Sequence, residues 1–244
     1  MNSAKQTFTY EYPRPAVTVD CVIFGFDRGE LKVLLTKRGI EPFLGKWAFP
    51  GGFILERETA DECARRKLAE EAGLEDIYLE QLYTFSALDR DPRFRVISIA
   101  YYALVKSTDC LIEAGLDIEE VKWFSLDEAM ALAFDHDQIL SVAIERLKGK
   151  IRYQPIGFEL LPEQFTLPEL HKLYETILQR AVDRGNFRKK ILSMNLLIDH
   201  SEKQPDRHAR AAKIYSFDRD KYEALKESGF YLSFNRRFFY KTFN

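Results

Sequence analysis

Residues 50–74 read P-G-G-F-I-L-E-R-E-T-A-D-E-C-A-R-R-K-L-A-E-E-A-G-L, and this stretch decides the fold of the first half of the chain. The run between its glycines predicts an α-helix over residues 59–72. In that helix Cys63 and Leu68, with Leu74 just beyond its end, would face a core, because residues three and four positions apart share one helical face. The stretch therefore predicts an amphipathic helix that is entered through a glycine turn.

Closely spaced charges mark the polar side of this helix. Glu70 and Glu71 follow Lys67 at the three- and four-residue separations at which helical side chains meet, and Glu58 enters from the preceding loop. Carboxylates grouped in this way make a site for a hard cation such as Mg²⁺. A helix whose charges are simply solvated is the alternative explanation.

The spacing resembles the Nudix box, G-x5-E-x7-R-E-U-x-E-E-x-G-U, in which U is an aliphatic residue. The residues in register are Gly52, Glu58, Arg66, Leu68, Glu70, Glu71, Gly73 and Leu74. Lys67 departs from the pattern, because the family has a glutamate there that helps to hold the metal and, in some members, acts as the base for the attacking water. A protonated lysine cannot ligate Mg²⁺, and its charge repels the cation. The resemblance therefore implies a Nudix scaffold whose hydrolytic chemistry has been lost.

Length and charge indicate two parts with different partners. The chain has 244 residues and is 46% hydrophobic, which is enough for a sizeable core and for more than one domain. Residues 1–150 carry 19 Lys and Arg against 26 Asp and Glu, a net charge of −7, whereas residues 151–244 carry 17 against 12, a net charge of +5. The basic second part favours nucleic acid as a partner.

Cysteine usage and hydropathy indicate the compartment. Cys21, Cys63 and Cys110 are isolated in sequence and odd in number, which is typical of buried thiols in a reducing compartment. His136 has no second histidine or cysteine at the spacing of metal ligands, so packing or capping is the expected role. No apolar run approaches the ~20 residues of a membrane span. We therefore expect a cytoplasmic protein without membrane association.

Strand and helix patterns alternate through the first part. Strands are expected at residues 16–26, 31–36, 77–88, 95–105 and 121–124, and helices at residues 127–133 and 135–147, with Asp135 as the cap of the last helix. Strands with a helix on each side fit the α/β/α sandwich of the Nudix fold. The resemblance thus covers residues 16–148 and implies the α/β class.

Proline and glycine interrupt the pattern over residues 149–164, which is the expected domain boundary. We expect an effector-binding domain over residues 1–150 and a second domain over residues 151–244. The second domain opens with helix signals: Thr166 is a good N-cap and Glu169 stands at the capping-box position. This helix is expected to run to about residue 180.

The order of the following elements predicts a DNA-binding domain. A turn at residues 183–185 leads to a second helix over residues 187–196, capped by Asn186, and residues 197–199 and 213–217 would pair as a hairpin. This is the order of a winged helix-turn-helix, whose second helix enters the major groove. The residues expected to contact DNA, in that helix and in the basic hairpin loop, are Asn186, Arg188, Lys189, Lys190, Lys203, Arg207 and Arg210. Solvated surface charge is the alternative explanation.

With both parts considered, the chain resembles the Nudix-related transcriptional regulators of the NrtR type, which join a Nudix-like sensor to a C-terminal winged helix. Besides the box, the stretches that carry this resemblance are Asp20 and residues 42–53, 89–92, 134–136, 165–170 and 186–188. The best known of them controls NAD metabolism and senses ADP-ribose, and a related branch controls arabinose use. The resemblance implies a homodimeric repressor that binds a palindromic operator in double-stranded DNA and a small-molecule effector, ADP-ribose or a related sugar. Degenerate boxes are common in this family, so Lys67 agrees with a regulator. An active Mg²⁺-dependent hydrolase of nucleoside diphosphate derivatives and a bifunctional protein are the alternatives.

The motif and the resemblance together place the effector site around the box. The candidate residues are Arg38, Phe49, Gly51, Gly52, Glu58, Arg66, Lys67, Glu70, Glu71, Arg90 and Arg95. Surface ion pairs are the alternative role for the arginines outside the box. Phe49 and Phe53 could stack on a base, and core packing is the alternative role for both. No catalytic residue is assigned and no cofactor is required, although Glu70 and Glu71 could still hold Mg²⁺.

Overall fold

The computed structural model describes residues 9–75, 77–106, 118–204 and 212–227. Its first part consists of β1 (Ala16–Asp27), β2 (Glu30–Arg38), β3 (Trp47–Ala48), β4 (Gly51–Phe53), α1 (Ala60–Ala72), β5 (Tyr78–Phe85), β6 (Val96–Lys106), β7 (Ile118–Ser125) and α2 (His136–Lys150). Its second part consists of a 3₁₀ turn (Phe158–Leu160), β8 (Phe165–Thr166), α3 (Leu167–Leu178), α4 (Arg184–Ser193), β9 (Leu197–Gln204), β10 (Ala212–Phe217) and α5 (Arg219–Glu227).

The first part is built on a mixed sheet with β1 near its centre. The strand order is β3-β2-β1-β6-β5, with β4 paired to β1 and β7 paired to β2. The β1–β6 pair is parallel, and the other pairs of this sheet are antiparallel. The β1–β4 register sets Asp20 opposite Gly51. A Cβ atom on Gly51 would lie 2.3 Å from the Val19 carbonyl oxygen, so this close approach requires glycine.

The two faces of β1 serve two separate layers of the core. Val19, Cys21 and Ile23 pack with α1 on one face. Val22 and Phe24, which point to the opposite face because side chains alternate along a strand, pack in the cluster that contains α2. The predicted α/β/α sandwich is therefore confirmed.

The second part is continuous with the α2 layer. Ile151, Phe158 and Leu173 belong to the same buried cluster as Phe24 of β1. The Thr176 hydroxyl of α3 also donates a hydrogen bond of 3.0 Å to the Gly29 carbonyl oxygen, in the turn between β1 and β2. The two parts of the chain thus share one hydrophobic core.

The helix starts at Thr59 and Thr166 agree with the sequence. Each threonine hydroxyl accepts a hydrogen bond from the backbone N–H three residues on, and the glutamate at that position bonds back, so both helices begin with a capping box. α3 ends at Leu178, close to the predicted end, because Gln179 adopts a left-handed conformation with φ of 51°. β8, α3, α4, β9, β10 and α5 form the predicted winged helix-turn-helix.

Two predicted helix caps are corrected. α4 is capped by Asp183, whose carboxylate accepts a 2.8 Å hydrogen bond from the Asn186 N–H, so Asn186 lies inside the first turn and the expected turn at residues 183–185 is mostly helix. Asp135 precedes α2 as expected, but its carboxylate makes no cap; it accepts hydrogen bonds from Arg90. The Asp135 carboxylate therefore binds the buried Arg90 guanidinium and not the backbone N–H groups at the start of α2.

Other predicted boundaries also move. Residues 127–133 form turns and bends without an α-helix, and β5 ends at Phe85, so residues 86–88 are not strand. The hairpin strands β9 and β10 are longer than predicted. Cys110, Arg207, His208, Arg210 and the aromatic tail, residues 230–243, lie outside the described residues. Among the helices that are described, none is long and apolar enough to cross a membrane.

Candidate functional site

A cleft of about 750 Å³ opens beside α1, over the β1–β4 pair. Most of the predicted effector residues line it: Arg38, Phe49, Gly51, Gly52, Arg66, Lys67, Glu70, Glu71 and Arg90. Phe53, which the sequence offered for stacking on a base, also lines the cleft. Further lining residues were not among the predicted ones: Thr18, Asp20, Asp91, Arg93, Phe134 and His136 among others. The box helix and the glycine turn therefore form one wall of a cavity of ligand size.

Lys67 lies between the two box carboxylates. Its Nζ atom is 2.5 Å from Glu71 Oε1 and 3.1 Å from Glu70 Oε2. The stem of the lysine runs over Gly52, where a Cβ atom would lie 3.0 Å from Lys67 Cε. The ammonium group thus stands where the two glutamates of the motif converge.

The pKa shifts of this cluster follow from burial and charge. Burial acts to lower the pKa of Lys67, but the charges and hydrogen bonds of Glu71 and Glu70 outweigh it and raise that pKa. Burial raises the pKa of the Glu71 carboxyl against the opposing influence of Lys67 and of the Gly51 N–H. Lys67 is therefore a fixed positive charge at neutral pH, held by carboxylates on its own helix.

Glu58 supports Arg66 and does not reach the cleft. Its carboxylate accepts hydrogen bonds of 2.9 and 2.6 Å from Arg66 and one of 2.8 Å from the Leu55 N–H. The hydrogen bond from Arg66 is the main cause that lowers the pKa of Glu58 to about 2. Glu58 is absent from the lining of the cleft. Its predicted place in the effector site is thus corrected to that of a residue that orients Arg66.

Arg90 forms the buried floor of the cleft. Its guanidinium lies 2.7 Å from Asp135 Oδ1 and 3.3 Å from Asp20 Oδ2, and its side chain is 3% exposed. Burial acts to raise the pKa of Asp20, but contacts with His136, Arg90 and Ser98 lower it to about 2. Two carboxylates thus hold Arg90 in place, so it organises the floor.

His136 has a defined tautomer. Its Nδ1 atom accepts a 2.9 Å hydrogen bond from the Phe49 N–H, so the ring proton is on Nε2, which faces Asp20 Oδ1 at 3.5 Å. The Phe49 ring stacks on this imidazole at a centroid distance of 5.1 Å and is 3% exposed. Phe49 is therefore a packing residue of the floor. Core packing was the alternative role given for it from the sequence.

The two outer arginines differ in position. Arg38 lines one end of the cleft, where it donates a 2.7 Å hydrogen bond to the Pro42 carbonyl oxygen and lies 4.9 Å over the Phe134 ring. Arg95 is not part of the lining; it donates a 2.8 Å hydrogen bond to the Ala87 carbonyl oxygen. Arg95 therefore braces the chain between β5 and β6, and its predicted effector role is corrected.

Sequence signals for the residues missed by the prediction were uneven. Asp20, Asp91 and the segment 134–136 stand in stretches that carry the family resemblance, so those signals were available. Thr18 carried no signal, because a threonine in a β-rich run is ordinary strand composition. The floor of the cleft consists of residues that are far apart in sequence, such as Asp20, Arg90 and His136. The sequence alone does not show that they lie next to one another.

The donor set does not fit a resident divalent cation. The Glu70 and Glu71 carboxylates are both paired with Lys67, whose positive charge opposes a metal ion there. Within the described ranges, no group of three or more His, Cys, Asp or Glu side chains could hold a metal ion. The position of Lys67 thus disfavours Glu70 and Glu71 as ligands of a divalent cation.

A second surface lies on α4 and the hairpin. Arg184, Arg188 and Lys189 are exposed, and Lys190 is half-buried. Lys213 of β10 is paired with Asp199 of β9, at 2.5 Å between Nζ and Oδ2. Arg184 was missed because the helix was expected to begin after it. Lys203 stands on β9, opposite residue 213, and Asn186 lies in the first turn of α4.

Comparison with known proteins identifies relatives of both parts. Residues 14–146 match the NUDIX domain family, and residues 157–217 match the NrtR DNA-binding winged helix domain. The chain is 35% identical over 219 residues to the ADPR responsive transcriptional repressor NtrR of Acinetobacter baylyi, covering 87% of this chain and 86% of that protein. It is 40% identical over 129 residues to an ADP-ribose pyrophosphatase of Methanocaldococcus jannaschii, covering 53% of this chain and 73% of that enzyme.

Solved structures of Shewanella oneidensis NrtR are similar over both parts. The complex of NrtR with a 27mer DNA is 36% identical, with a TM-score of 0.77, and the match covers 88% of this chain and 97% of that one. The complex of its NUDIX domain with ADP ribose is 40% identical, with a TM-score of 0.52, and the match covers 56% of this chain and 90% of that one. The similarity to the first structure thus extends through the NUDIX-like part and the winged helix together.

Proposed function

The chain belongs to the NUDIX family and to its NrtR-type members with a winged helix, and from this premise we propose that it is a transcriptional repressor whose cleft binds ADP-ribose without hydrolysing it. Binding of the nucleotide changes the affinity of the protein for a palindromic operator in double-stranded DNA. We propose that the regulated genes belong to NAD metabolism and that the protein acts in the cytoplasm.

The position of Lys67 is the observation that supports binding of ADP-ribose without hydrolysis. A hydrolase of this type needs a cation between the box carboxylates, where the cation supplies Lewis acidity and activated water. Here the ammonium of Lys67 stands 2.5 Å from Glu71 and 3.1 Å from Glu70. An ammonium attracts phosphate oxygens but has no open coordination position for water. The cleft can therefore hold a diphosphate and lacks the group that would cleave it.

Three side chains of the cleft supply positive charge for a diphosphate. Arg66 and Lys67 project from α1, where glutamates already pair with both, and Arg38 lies over the Phe134 ring. The Shewanella NUDIX domain binds ADP ribose, and the Acinetobacter relative is an ADPR responsive repressor, which supports ADP-ribose as the effector. Arabinose, the sugar of the related branch, lacks the phosphates that these cations suit.

The surface of α4 supports DNA binding. Arg184, Arg188 and Lys189 are exposed on it, and a recognition helix uses such residues against phosphates and base edges. The structural likeness to a DNA complex covers the winged helix as well as the NUDIX-like part. A homodimer places two such helices on two half-sites, which accounts for a palindromic operator.

The test measures both ligands on the full-length protein. An operator is selected from a random duplex library, and its affinity is measured by fluorescence anisotropy with and without ADP-ribose. Because linkage is reciprocal, operator DNA must change the ADP-ribose affinity by the same factor. Arabinose serves as the control effector. Equal DNA affinity with and without ADP-ribose would overturn the proposal.

A hydrolase is the second candidate, because the Methanocaldococcus enzyme is 40% identical over the NUDIX-like part. The same preparation is therefore incubated with ADP-ribose and Mg²⁺ or Mn²⁺, and AMP release is measured. We expect negligible turnover. Release at roughly 1 s⁻¹ or more, the usual range for enzymes, would contradict the assignment as a regulator without hydrolysis.

A further inference from the structure

Two side chains of α3 bond to one residue of the turn that leads into α4. His171 Nε2 lies 2.8 Å from the Val182 carbonyl oxygen, in a buried contact. Because a carbonyl oxygen only accepts, Nε2 carries a proton and donates it. The Val182 N–H donates a 3.1 Å hydrogen bond to Glu175 Oε1. Both backbone polar groups of Val182 are therefore bonded to α3.

Val182 stands directly before the N-cap of α4. The Asp183 carboxylate accepts a 2.8 Å hydrogen bond from the Asn186 N–H, and the Asp183 carbonyl oxygen accepts one of 2.9 Å from the Phe187 N–H. A helix that starts at a fixed residue presents each later side chain in a defined direction, because it repeats every ~3.6 residues. The bonds to Val182 thus set where α4 starts and which way its side chains point.

The apolar contact of α4 is a narrow stripe. Its buried residues are Phe187 and Ile191, four positions apart on one face. The Phe187 ring meets the His171 ring edge-on at 5.0 Å and the Tyr174 ring at 5.1 Å. Hydrophobic contact is non-directional, so this stripe holds α4 against α3 without fixing its rotation. The hydrogen bonds to Val182 supply the missing direction.

The rotation of α4 matters more for base contacts than for phosphate contacts. Arg184, Arg188 and Lys189 are exposed on α4, and Arg184 lies two residues after Val182. A hydrogen bond to a base edge requires correct distance and angle. Attraction to phosphates acts over a Debye length of about 10 Å and tolerates a displaced side chain. A loosened start of α4 therefore removes sequence preference before it removes general affinity for DNA.

We propose that His171 and Glu175 are positioning residues for DNA recognition, which set the rotation of α4 by bonding both backbone groups of Val182. The inference rests on the proposed function, because it assumes that α4 reads an operator. Neither side chain contacts the DNA; each acts through Val182. The pair supplies sequence preference, and the exposed cations of α4 supply the attraction that any duplex receives.

The first test compares the selected operator with a duplex of scrambled sequence. His171→Leu removes the donor and keeps apolar volume beside Phe187, and Glu175→Met removes the acceptor. Affinity of each full chain is measured by fluorescence anisotropy at a temperature at which circular dichroism shows it fully folded. We expect the ratio of operator to scrambled affinity to fall by roughly 5- to 100-fold, the range for one lost base contact, with an unchanged salt slope on the scrambled duplex. The ratio cancels the general effect of removing a charge.

Glutamine variants separate the hydrogen bonds from the other properties of the two side chains. In His171→Gln an amide N–H can donate in place of Nε2, and in Glu175→Gln a carbonyl oxygen still accepts from the Val182 N–H. We expect both to keep most of the operator preference. Glutamine variants that lose as much preference as the leucine and methionine variants would overturn the inference.

Thr176→Val is the matched control for a loss of stability. Thr176 stands on the same helix and donates a 3.0 Å hydrogen bond to the carbonyl oxygen of Gly29, which belongs to the first part of the chain. Its removal therefore takes one hydrogen bond from α3 without altering the turn before α4. We expect an unchanged ratio of operator to scrambled affinity. A ratio that falls as far as in His171→Leu would assign the effect to weakening of α3 and overturn the inference.

The outcomes distinguish this inference from the proposed function. If the wild type prefers the operator and the leucine and methionine variants keep that preference, the positioning role is overturned and the proposed function stands. If these variants lose the preference but ADP-ribose never changes the DNA affinity of the wild type, the positioning role stands and the proposed function fails. If the wild type prefers no sequence, both fail.

Discussion

Lys67 decides whether the NUDIX-like cleft acts as a binding site or as a catalyst. Its ammonium is paired with both box glutamates, and the same glutamates raise its pKa, so the positive charge is permanent near neutral pH. The motif otherwise keeps its charged residues. The proposed absence of hydrolysis therefore rests on one side chain, which can be exchanged.

Lys67→Glu is expected to create a divalent site. Three glutamates on α1 would repel one another without metal, so the variant should be less stable than the wild type, and Mg²⁺ or Mn²⁺ should raise its melting temperature by mass action. The wild type and Lys67→Gln, which removes the charge without adding a ligand, serve as controls and should show little metal response. ADP-ribose turnover by the variant would show that the substrate geometry is intact. A melting temperature that is equally insensitive to metal in all three proteins would contradict the role given to Lys67.

Asp20 gives a pH-dependent contribution to stability. Because its pKa is lowered to about 2 in the folded chain, below the value of 3.8 for an ordinary aspartate, the ionised carboxyl stabilises the fold above pH 3.8 and this contribution is lost as pH falls toward 2. Between pH 5 and pH 2 we expect the free energy of unfolding in urea to fall by roughly 2 kcal/mol more for the wild type than for Asp20→Asn. Parallel pH profiles for the two proteins would refute this.

At the scale of elements, local sequence signals predicted most of the helices and strands. The helix caps that were predicted wrongly are explained by competing caps and by contacts between elements. Thr166 and Glu169 lie within one turn of each other, so the sequence shows that cap directly. The start of α4 was misplaced because two acceptable caps, Asp183 and Asn186, stand three residues apart and Asp183 takes the position. Asp135 was misassigned because Arg90, 45 residues away, claims its carboxylate.

The exposed cations of α4 lead to a testable prediction about DNA binding. Replacement of Arg188, Lys189 and Lys190 by alanine should weaken operator binding and reduce the slope of affinity against salt concentration, because each phosphate contact contributes about one unit to that slope. The control replaces Lys46, Arg57 and Arg65, which are exposed on the first part, and removes the same charge. If both triple variants lose affinity equally, net charge and not α4 governs binding.

At the scale of the whole molecule, the two parts are less separable than their sequence suggests. The composition shift near residue 150 predicts two domains, yet Ile151, Phe158 and Leu173 pack in one cluster with Phe24 of β1. The sequence cannot show this shared packing. An apolar residue near a domain boundary does not reveal which part of the protein it packs against. The fold class and the order of elements were accessible from the sequence; the shared core and the assembled floor of the cleft were not.

A shared core predicts cooperative unfolding. We expect calorimetry of the full chain to show one thermal transition, with ADP-ribose raising the melting temperature of the whole. A chain that ends at residue 150 should be less stable than a chain that ends at residue 164, because the longer chain keeps Ile151 and Phe158 of the shared cluster. Two well-separated transitions in the full chain would show that the parts are independent.

The lysine in the box also determines what the sensor responds to. A nucleotide-binding protein that depends on bound magnesium reports a product of two concentrations, so its output drifts whenever the cell's free magnesium changes. A counter-ion carried on the polypeptide has a constant local concentration, since Lys67 is held by Glu70 and Glu71 on its own helix. On the proposal that the cleft binds its effector without a metal, we expect the regulatory output of this protein to be insensitive to the concentration of free magnesium.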